Sequence, residues 1–185
     1  MIDDIVRDGE DRMKKTVDAV QRELAGIRTG HAHVNLVDHV RVDYFGTMMP
    51  LNQLGTVAAP ESRLLTIQPW DRNALTAIEK AILKSDLGLT PSNDGAIIRL
   101  AIPPLTEDRR KDMIKQVSKR IEDGRVAVRN VRRDGIEHVK RLVTSKEASE
   151  DDQHKAQDQL QKLTDRYIAV IDQKGKEKEA ELREV

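Results

Sequence analysis

Three stretches of this chain repeat apolar residues at the spacing of a helix that buries one stripe. In the first, Val6, Met13, Val17, Val20, Leu24 and Ile27 follow at intervals of seven, four, three, four and three. This pattern predicts a helix over about residues 2–28, with Gly30 offering a left-handed C-terminal cap. In the second, Pro103-Pro104 ends the preceding segment and Thr106 caps a helix running to about Thr144, with Glu107 and Asp108 in its first turn. Its expected inner stripe is Ile114, Val117, Ile121, Val128, Val131, Val139 and Leu142, with Gly124 and Gly135 on the same side. In the third, Ser149 and Asp152 form a cap signal, and Ala156, Leu160, Leu163, Tyr167, Val170 and Ile171 form the expected inner face. A helix of about 35 residues is ~50 Å long at the usual rise. Such helices cannot bury a stripe alone, so the three are expected to pack as a bundle.

Between the first and second helices the period changes. His39-Val40-Arg41-Val42-Asp43-Tyr44-Phe45 alternates polar and apolar residues, as a strand does, and Gly46 ends it. Leu64-Leu65-Thr66-Ile67 and Ile97 to Ile102 are further strand candidates. Asn73 to Lys84 reads as a short helix capped by Asp71, with Leu75, Ile78, Ile82 and Leu83 inward. Most of the prolines fall in 31–104. The expected fold class is α+β. Residues 1–30 with 105–185 form an elongated, discontinuous three-helix bundle, and 31–104 form an inserted small β/α/β domain. Two strands of chain join the parts, near Gly30-His31 and Pro103-Pro104-Leu105, and a junction of that kind is a candidate hinge.

Composition narrows the function. The chain has 185 residues, 32 basic and 32 acidic, and no cysteine, so disulfides, thiolate metal sites and cysteine nucleophiles are excluded. Its aromatics are Tyr44, Phe45, Trp70 and Tyr167. That argues against an aromatic-lined ligand pocket and against base stacking as the main binding mode. Trp70 and Tyr44-Phe45 are expected in the insert's core, because a small domain needs apolar mass; the alternative is a Trp70 exposed for a protein contact. The acidic start of the chain lacks a signal-type apolar core, and no run is long enough to span a bilayer, so a cytoplasmic protein without membrane contact is expected.

Neutral charge overall hides a local bias. Residues 105–145 hold 12 basic against 7 acidic residues, while 146–185 hold 8 against 11. Within that basic helix lies Arg125-Val126-Ala127-Val128-Arg129-Asn130-Val131-Arg132-Arg133-Asp134. Arg125, Arg129 and Arg132 fall at i, i+4 and i+7, on one face flanking the buried stripe. Lined-up guanidinium groups suit an array of phosphates, since each offers a planar fork of donors and keeps its charge. Two other readings stand beside this one. One is a coiled-coil module whose arginines pair with another protein. The other is a helical chaperone that binds duplex RNA.

Other constellations carry less. His31-x-His33 with His39 nearby places too few ligands in a loop for a closed metal site. Asp151-Asp152 is better explained by the positive first turn of a helix than as a catalytic pair. No phosphate-cradling glycine loop and no nucleophile elbow occur, so neither an enzyme nor a cofactor is expected.

At this point the chain resembles the bacterial ribosome recycling factors, over nearly all of its length and with the motifs in order. They are Ile27-Arg28-Thr29-Gly30, Tyr44-Phe45-Gly46-Thr47 with Pro50-Leu51, Glu79-Lys80-Ala81-Ile82, Ser85 to Leu89, Pro103 to Asp112, Arg125 to Asp134, Ser149 to Asp152, and Gln161 to Asp165. The resemblance implies an L-shaped, two-domain monomer that binds the 70S ribosome after termination. It implies contact of the bundle with large-subunit ribosomal RNA, and action with elongation factor G and GTP to separate the subunits for recycling. Any GTP hydrolysis would belong to the partner. Family binding residues match Arg110, Arg129 and Arg132, with Arg28 and Arg133 as neighbours. The chain departs from the family at His31, where arginine is common, and at Phe45, where tyrosine is frequent.

Overall fold

The computed structural model describes residues 1–184. It separates into two compact units, one of residues 1–29 with 107–184 and the other of residues 30–106. The chain therefore passes between units at 29–30 and 106–107, where the sequence placed the crossings at 30–31 and 104–105.

The first unit contains three long helices, α1 (Ile2–Ala25), α3 (Glu107–Thr144) and α4 (Glu150–Arg183), each packed against the other two. Helix α1 stops earlier than its periodicity suggested. Gly26 is its C-cap in an ordinary right-handed conformation, and the Ile27 N–H turns to Leu24 O at 3.1 Å. The helix yields at the residue with the poorest helix propensity on that stretch. Gly30 does adopt a positive φ, +77°, but it lies in the second unit rather than capping α1. Helix α4 begins at the expected capping box. The Ser149 side chain accepts from Asp152 N–H at 3.1 Å, and Asp152 Oδ2 accepts from Ser149 N–H at 3.0 Å. Those bonds hold the Asp152 carboxyl below its usual range.

Tight packing comes from pairing a large side chain on one helix with a glycine on another. A Cβ built on Gly124 would stand 2.7 Å from Val20 Cγ2, and one on Gly175 would stand 2.7 Å from Ile121 Cγ1. A Cβ on Gly135 would stand 3.0 Å from Leu160 Cδ1, and one on Gly9 would stand 3.2 Å from Leu160 Cδ2. Leu160 thus fills the space left by glycines on both other helices. The inner face of α4 also differs from the expected one. Thr164 and Gly175 are buried, Leu163 is half-buried and Val170 is exposed. Thr164 tolerates burial because its hydroxyl donates to Leu160 O at 2.7 Å. In α3, Met113 takes the inner position expected of Ile114, and Leu142 is half-buried. Polar ties cross the bundle as well: Tyr167 donates to Glu10 Oε1 at 2.8 Å, and Arg12 meets Asp134 at 3.2 Å.

The second unit contains a hairpin of β1 (Arg41–Tyr44) and β2 (Thr47–Pro50), and a four-stranded antiparallel sheet. The sheet comprises β3 (Gly55–Glu61), β4 (Leu64–Pro69), β5 (Pro91–Asn93) and β6 (Ile98–Ala101), in the order β3-β4-β6-β5. Helix α2 (Leu75–Lys84) packs against β1 and follows a short 3-10 turn, Arg72–Ala74, capped by Asp71 through the Asn73 N–H. The core is aliphatic, with Leu51, Leu65, Ile67, Ile78, Ile82, Ile98 and Leu100 fully buried. The aromatic core expected from the sequence does not form. Phe45 is 80% exposed and Trp70 is 68% exposed. Phe45 and Gly46, with φ of +51° and +81°, are the two loop residues of the hairpin, so the ring projects from a tight turn rather than from a strand face. Trp70 donates to Thr56 Oγ1 at 3.1 Å, and Tyr44 is part-buried, donating to Asp71 Oδ2 at 2.5 Å. Leu83, expected inward, is exposed too. Edge strands β3 and β5 carry Pro60 and Pro91, positions where a missing N–H does no harm.

Two outcomes follow from this packing. Gly175→Ala should lower stability by about 1 kcal/mol in urea unfolding at unchanged m-value, because ~1–3 kcal/mol of overpacking exceeds the ~1 kcal/mol gained in helix propensity. A gain instead would mean that Ile121 can swing away freely. In the insert, Asp94 accepts from the Ile97 and Ala96 N–H groups and from Arg99, and its pKa falls to about 2. A depressed folded-state pKa stabilises the fold above the ordinary carboxylate range, and this contribution is lost as pH falls from there towards 2. Asp94→Asn should therefore flatten the stability-versus-pH curve over that window, and an unchanged curve would refute the assignment.

Candidate nucleic-acid interface

Helix α3 carries the arginine series without a break, so the side chains keep helical registration from Arg109 to Arg133. Their surroundings divide them. Arg125 is half-buried and its donors are used inside the bundle. Its Nε donates to Asp172 Oδ1 at 2.7 Å, a terminal nitrogen stands 2.6 Å from the same oxygen, and the other meets Glu122 at 3.0 Å. The hydrogen bonds to Asp172 and then Glu122 raise its pKa, so it stays charged but compensated. This Arg125–Asp172 bridge joins α3 to α4. The sequence placed Arg125 among anion-binding residues, whereas here two carboxylates take up its fork.

The next positions along that face are different. Arg129 is exposed and stands 3.8 Å from Glu122, a loose contact. Arg132 is half-buried and donates to Gln161 Oε1 on α4 at 2.9 Å. Gln161 in turn donates from its amide nitrogen to Asp165 Oδ1 at 2.9 Å. Arg133 is exposed, with no hydrogen bond or ion pair among the described residues. A charge that is neither buried nor paired stays available to a partner's phosphates. Gln161, Asp165, Glu122 and Asp172 were not singled out as site residues from the sequence. Gln161 and Asp165 sit at i and i+4 on α4, but their reach to α3 depends on the helix-to-helix register.

Elsewhere in the same unit, Arg28 is exposed and unpaired among the described residues. Arg110 is half-buried, and its Nε is buried without a hydrogen-bond partner. The hinge candidates Gly30, His31, Pro103, Pro104 and Leu105 all fall within the second unit, close to the crossings. Gly30 needs its positive φ, and a Cβ there would also stand 3.1 Å from Leu105 Cγ.

Among the described residues no group of three or more His, Cys, Asp or Glu side chains could hold a metal ion. His39 instead stands 3.2 Å from Asp86. That pair borders an open groove of about 840 Å³ between the β1–β2 hairpin and α2, lined also by Arg41, Lys80 and Lys84 and by no Phe, Tyr or Trp. Among the described residues, no helix is long and apolar enough to cross a membrane.

A family model described as ribosome recycling factor matches residues 20–182. The ribosome-recycling factor of Thermomicrobium roseum is 52% identical over 185 residues, covering all of both chains. That of Solidesulfovibrio magneticus is 56% identical over 181 residues, covering 98% of each. Among solved structures, a solution structure of the ribosome recycling factor aligns with a TM-score of 0.75 at 43% identity, covering 100% of this chain and 98% of that one. A second match, at TM-score 0.63 and 45% identity over 98% of each chain, comes from models for the T. thermophilus ribosome recycling factor and the E. coli elongation factor G bound to the E. coli post-termination complex. With matches of this length and identity, and a helix bundle that bears the basic face, the chain belongs to the ribosome recycling factor family.

Proposed function

We propose that this protein binds the post-termination ribosome and, with elongation factor G and GTP, separates the subunits for a new round of initiation. The observation that carries the reading is the arginine face of α3 on a chain similar throughout its length to ribosome recycling factors. A relative at 45% identity is bound to a post-termination complex together with elongation factor G, which supplies the partners. In this reading Arg28, Arg110, Arg129, Arg132 and Arg133 meet phosphates of large-subunit ribosomal RNA, and Arg125 holds the α3–α4 flank in register. The protein itself is no enzyme. Nucleotide hydrolysis is the GTPase's, and the factor contributes binding and movement. Gly30-His31 and Pro103-Pro104-Leu105, beside the two chain crossings at 29–30 and 106–107, are the proposed flexure through which the GTPase drives the insert.

Light scattering of post-termination ribosomes, with factor, elongation factor G and GTP each omitted in turn, tests this. A fall in scattering only when all three are present is expected. Splitting without the factor, or binding that never leads to splitting, would contradict the role.

The division of labour along α3 is separately measurable. Arg125→Ala should lower bundle stability by about 1 kcal/mol, the upper range for a part-exposed ion pair. Arg133→Ala should leave the melting temperature unchanged and reduce the slope of log K against log salt by about 1 in ribosome binding. The reverse pattern would exchange their roles.

A further inference from the structure

We propose that Gln161 and Asp165 on α4 are positioning residues for Arg132: they fix its guanidinium without neutralising it, so that it meets an RNA phosphate already aligned. The inference rests on the phosphate-binding reading of α3 and adds to it the residues that prepare the contact.

The argument starts from a contrast on one helix face. Arg125 and Arg132 lie seven residues apart and both reach across to α4. Arg125 finds a carboxylate, Asp172, and a second one from its own helix, Glu122. Arg132 finds a neutral amide oxygen, Gln161 Oε1, at 2.9 Å, and no ion pair with it is recorded among the described residues. Two guanidinium groups in similar positions are therefore anchored by opposite means. A carboxylate anchor cancels the charge that a phosphate would use. An amide anchor fixes direction and leaves the charge intact.

The amide can serve only in one orientation, because its oxygen accepts and its nitrogen donates. Asp165 sets that orientation by accepting from the amide nitrogen at 2.9 Å. It lies one turn further along α4, so the same helix supplies both the anchor and its lock. The guanidinium has five N–H donors, and the contact with Gln161 uses one of them, leaving the rest for a bidentate phosphate contact. A free arginine loses most of its rotamer freedom when it binds, and holding it beforehand removes part of that loss from the binding step. The chain Asp165–Gln161–Arg132 has the form of such a holder.

The test uses the full chain and purified ribosomes, with affinity measured at several salt concentrations and melting temperature measured alongside. Gln161→Glu is nearly isosteric and still accepts from Arg132; it loses the donation to Asp165 and sets a second carboxylate beside it, which the new ion pair with Arg132 offsets, so the fold should be retained and the melting temperature little changed. Yet it places a charge on the anchor, so affinity should fall about tenfold and the salt slope should drop by about 1. Gln161→Ala removes the holder alone, and should weaken binding about fivefold with the slope little changed. Asp165→Ala frees the amide to flip and should weaken binding in the same direction. In an Arg132→Ala background all three should have no further effect, within about twofold. A purely structural role would instead follow the melting temperature and persist without Arg132. If Arg132→Ala weakens binding while the Gln161 variants bind as wild type, or lose equally without Arg132, the positioning role is overturned and the phosphate reading stands. If Arg132→Ala itself binds as wild type, the phosphate reading of this position fails and the positioning role falls with it.

Discussion

The close approach of three helices at their glycines is the constraint on which the rest of the bundle depends. Apolar mass is scarce: the core of the first unit rests on valine, leucine, isoleucine and methionine, with Tyr167 as its one buried ring among the described residues. Thin side chains bury enough area only if the backbones come close. Gly124 against Val20, Gly175 against Ile121, and Gly9 and Gly135 around Leu160 provide that approach. Each glycine weakens its own helix by about 1 kcal/mol, which tertiary packing must offset. These contacts also fix the register. Once Leu160 is seated, Gln161 is committed to the flank of α3 where Arg132 lies.

The arginine flank of α3 takes its character from that register. Arg125 and Arg132 occupy equivalent places beside the buried stripe of α3, and what distinguishes them is the residue that α4 presents. Asp172 turns one arginine into an internal tie. Gln161 leaves the other charged and oriented. Arg129 and Arg133, further round the helix, meet solvent. A basic face of this kind is graded: its compensated end ties α3 to α4, and its less compensated end is the part we propose for an anionic polymer.

Much of this was legible in the sequence, and the misses have physical causes. The Ser149–Asp152 box and the end of α3 at Thr144 were visible because caps and long stripes are local signals. Strands β2, β3 and β5 were not read, because Thr47–Pro50, Gly55–Glu61 and Pro91–Asn93 each contain a proline and keep most of their residues out of the core, with little alternation to detect. Phe45 and Trp70 were assigned to a core on the strength of their size. The turn geometry at Phe45-Gly46 and the aliphatic filling of the insert left both rings outside. The arginine series was evident as a line of charge, but its partners were not. Gln161 and Asp172 lie 29 and 47 residues away from the arginines they hold, and only the packed register brings them together.

In the proposed role, the α3 flank bearing Arg129, Arg132 and Arg133 is the surface that faces ribosomal RNA. The chain has no cysteine, so a single one can be introduced at a chosen exposed site and loaded with a tethered iron chelate that cleaves nearby RNA. Asn130, exposed on α3 beside the arginines, and Asp18, exposed on α1, are suitable positions. With the labelled protein bound to post-termination ribosomes, strong cleavage of large-subunit RNA is expected from position 130 and weak or no cleavage from position 18. Strong cleavage from 18 with none from 130 would contradict it.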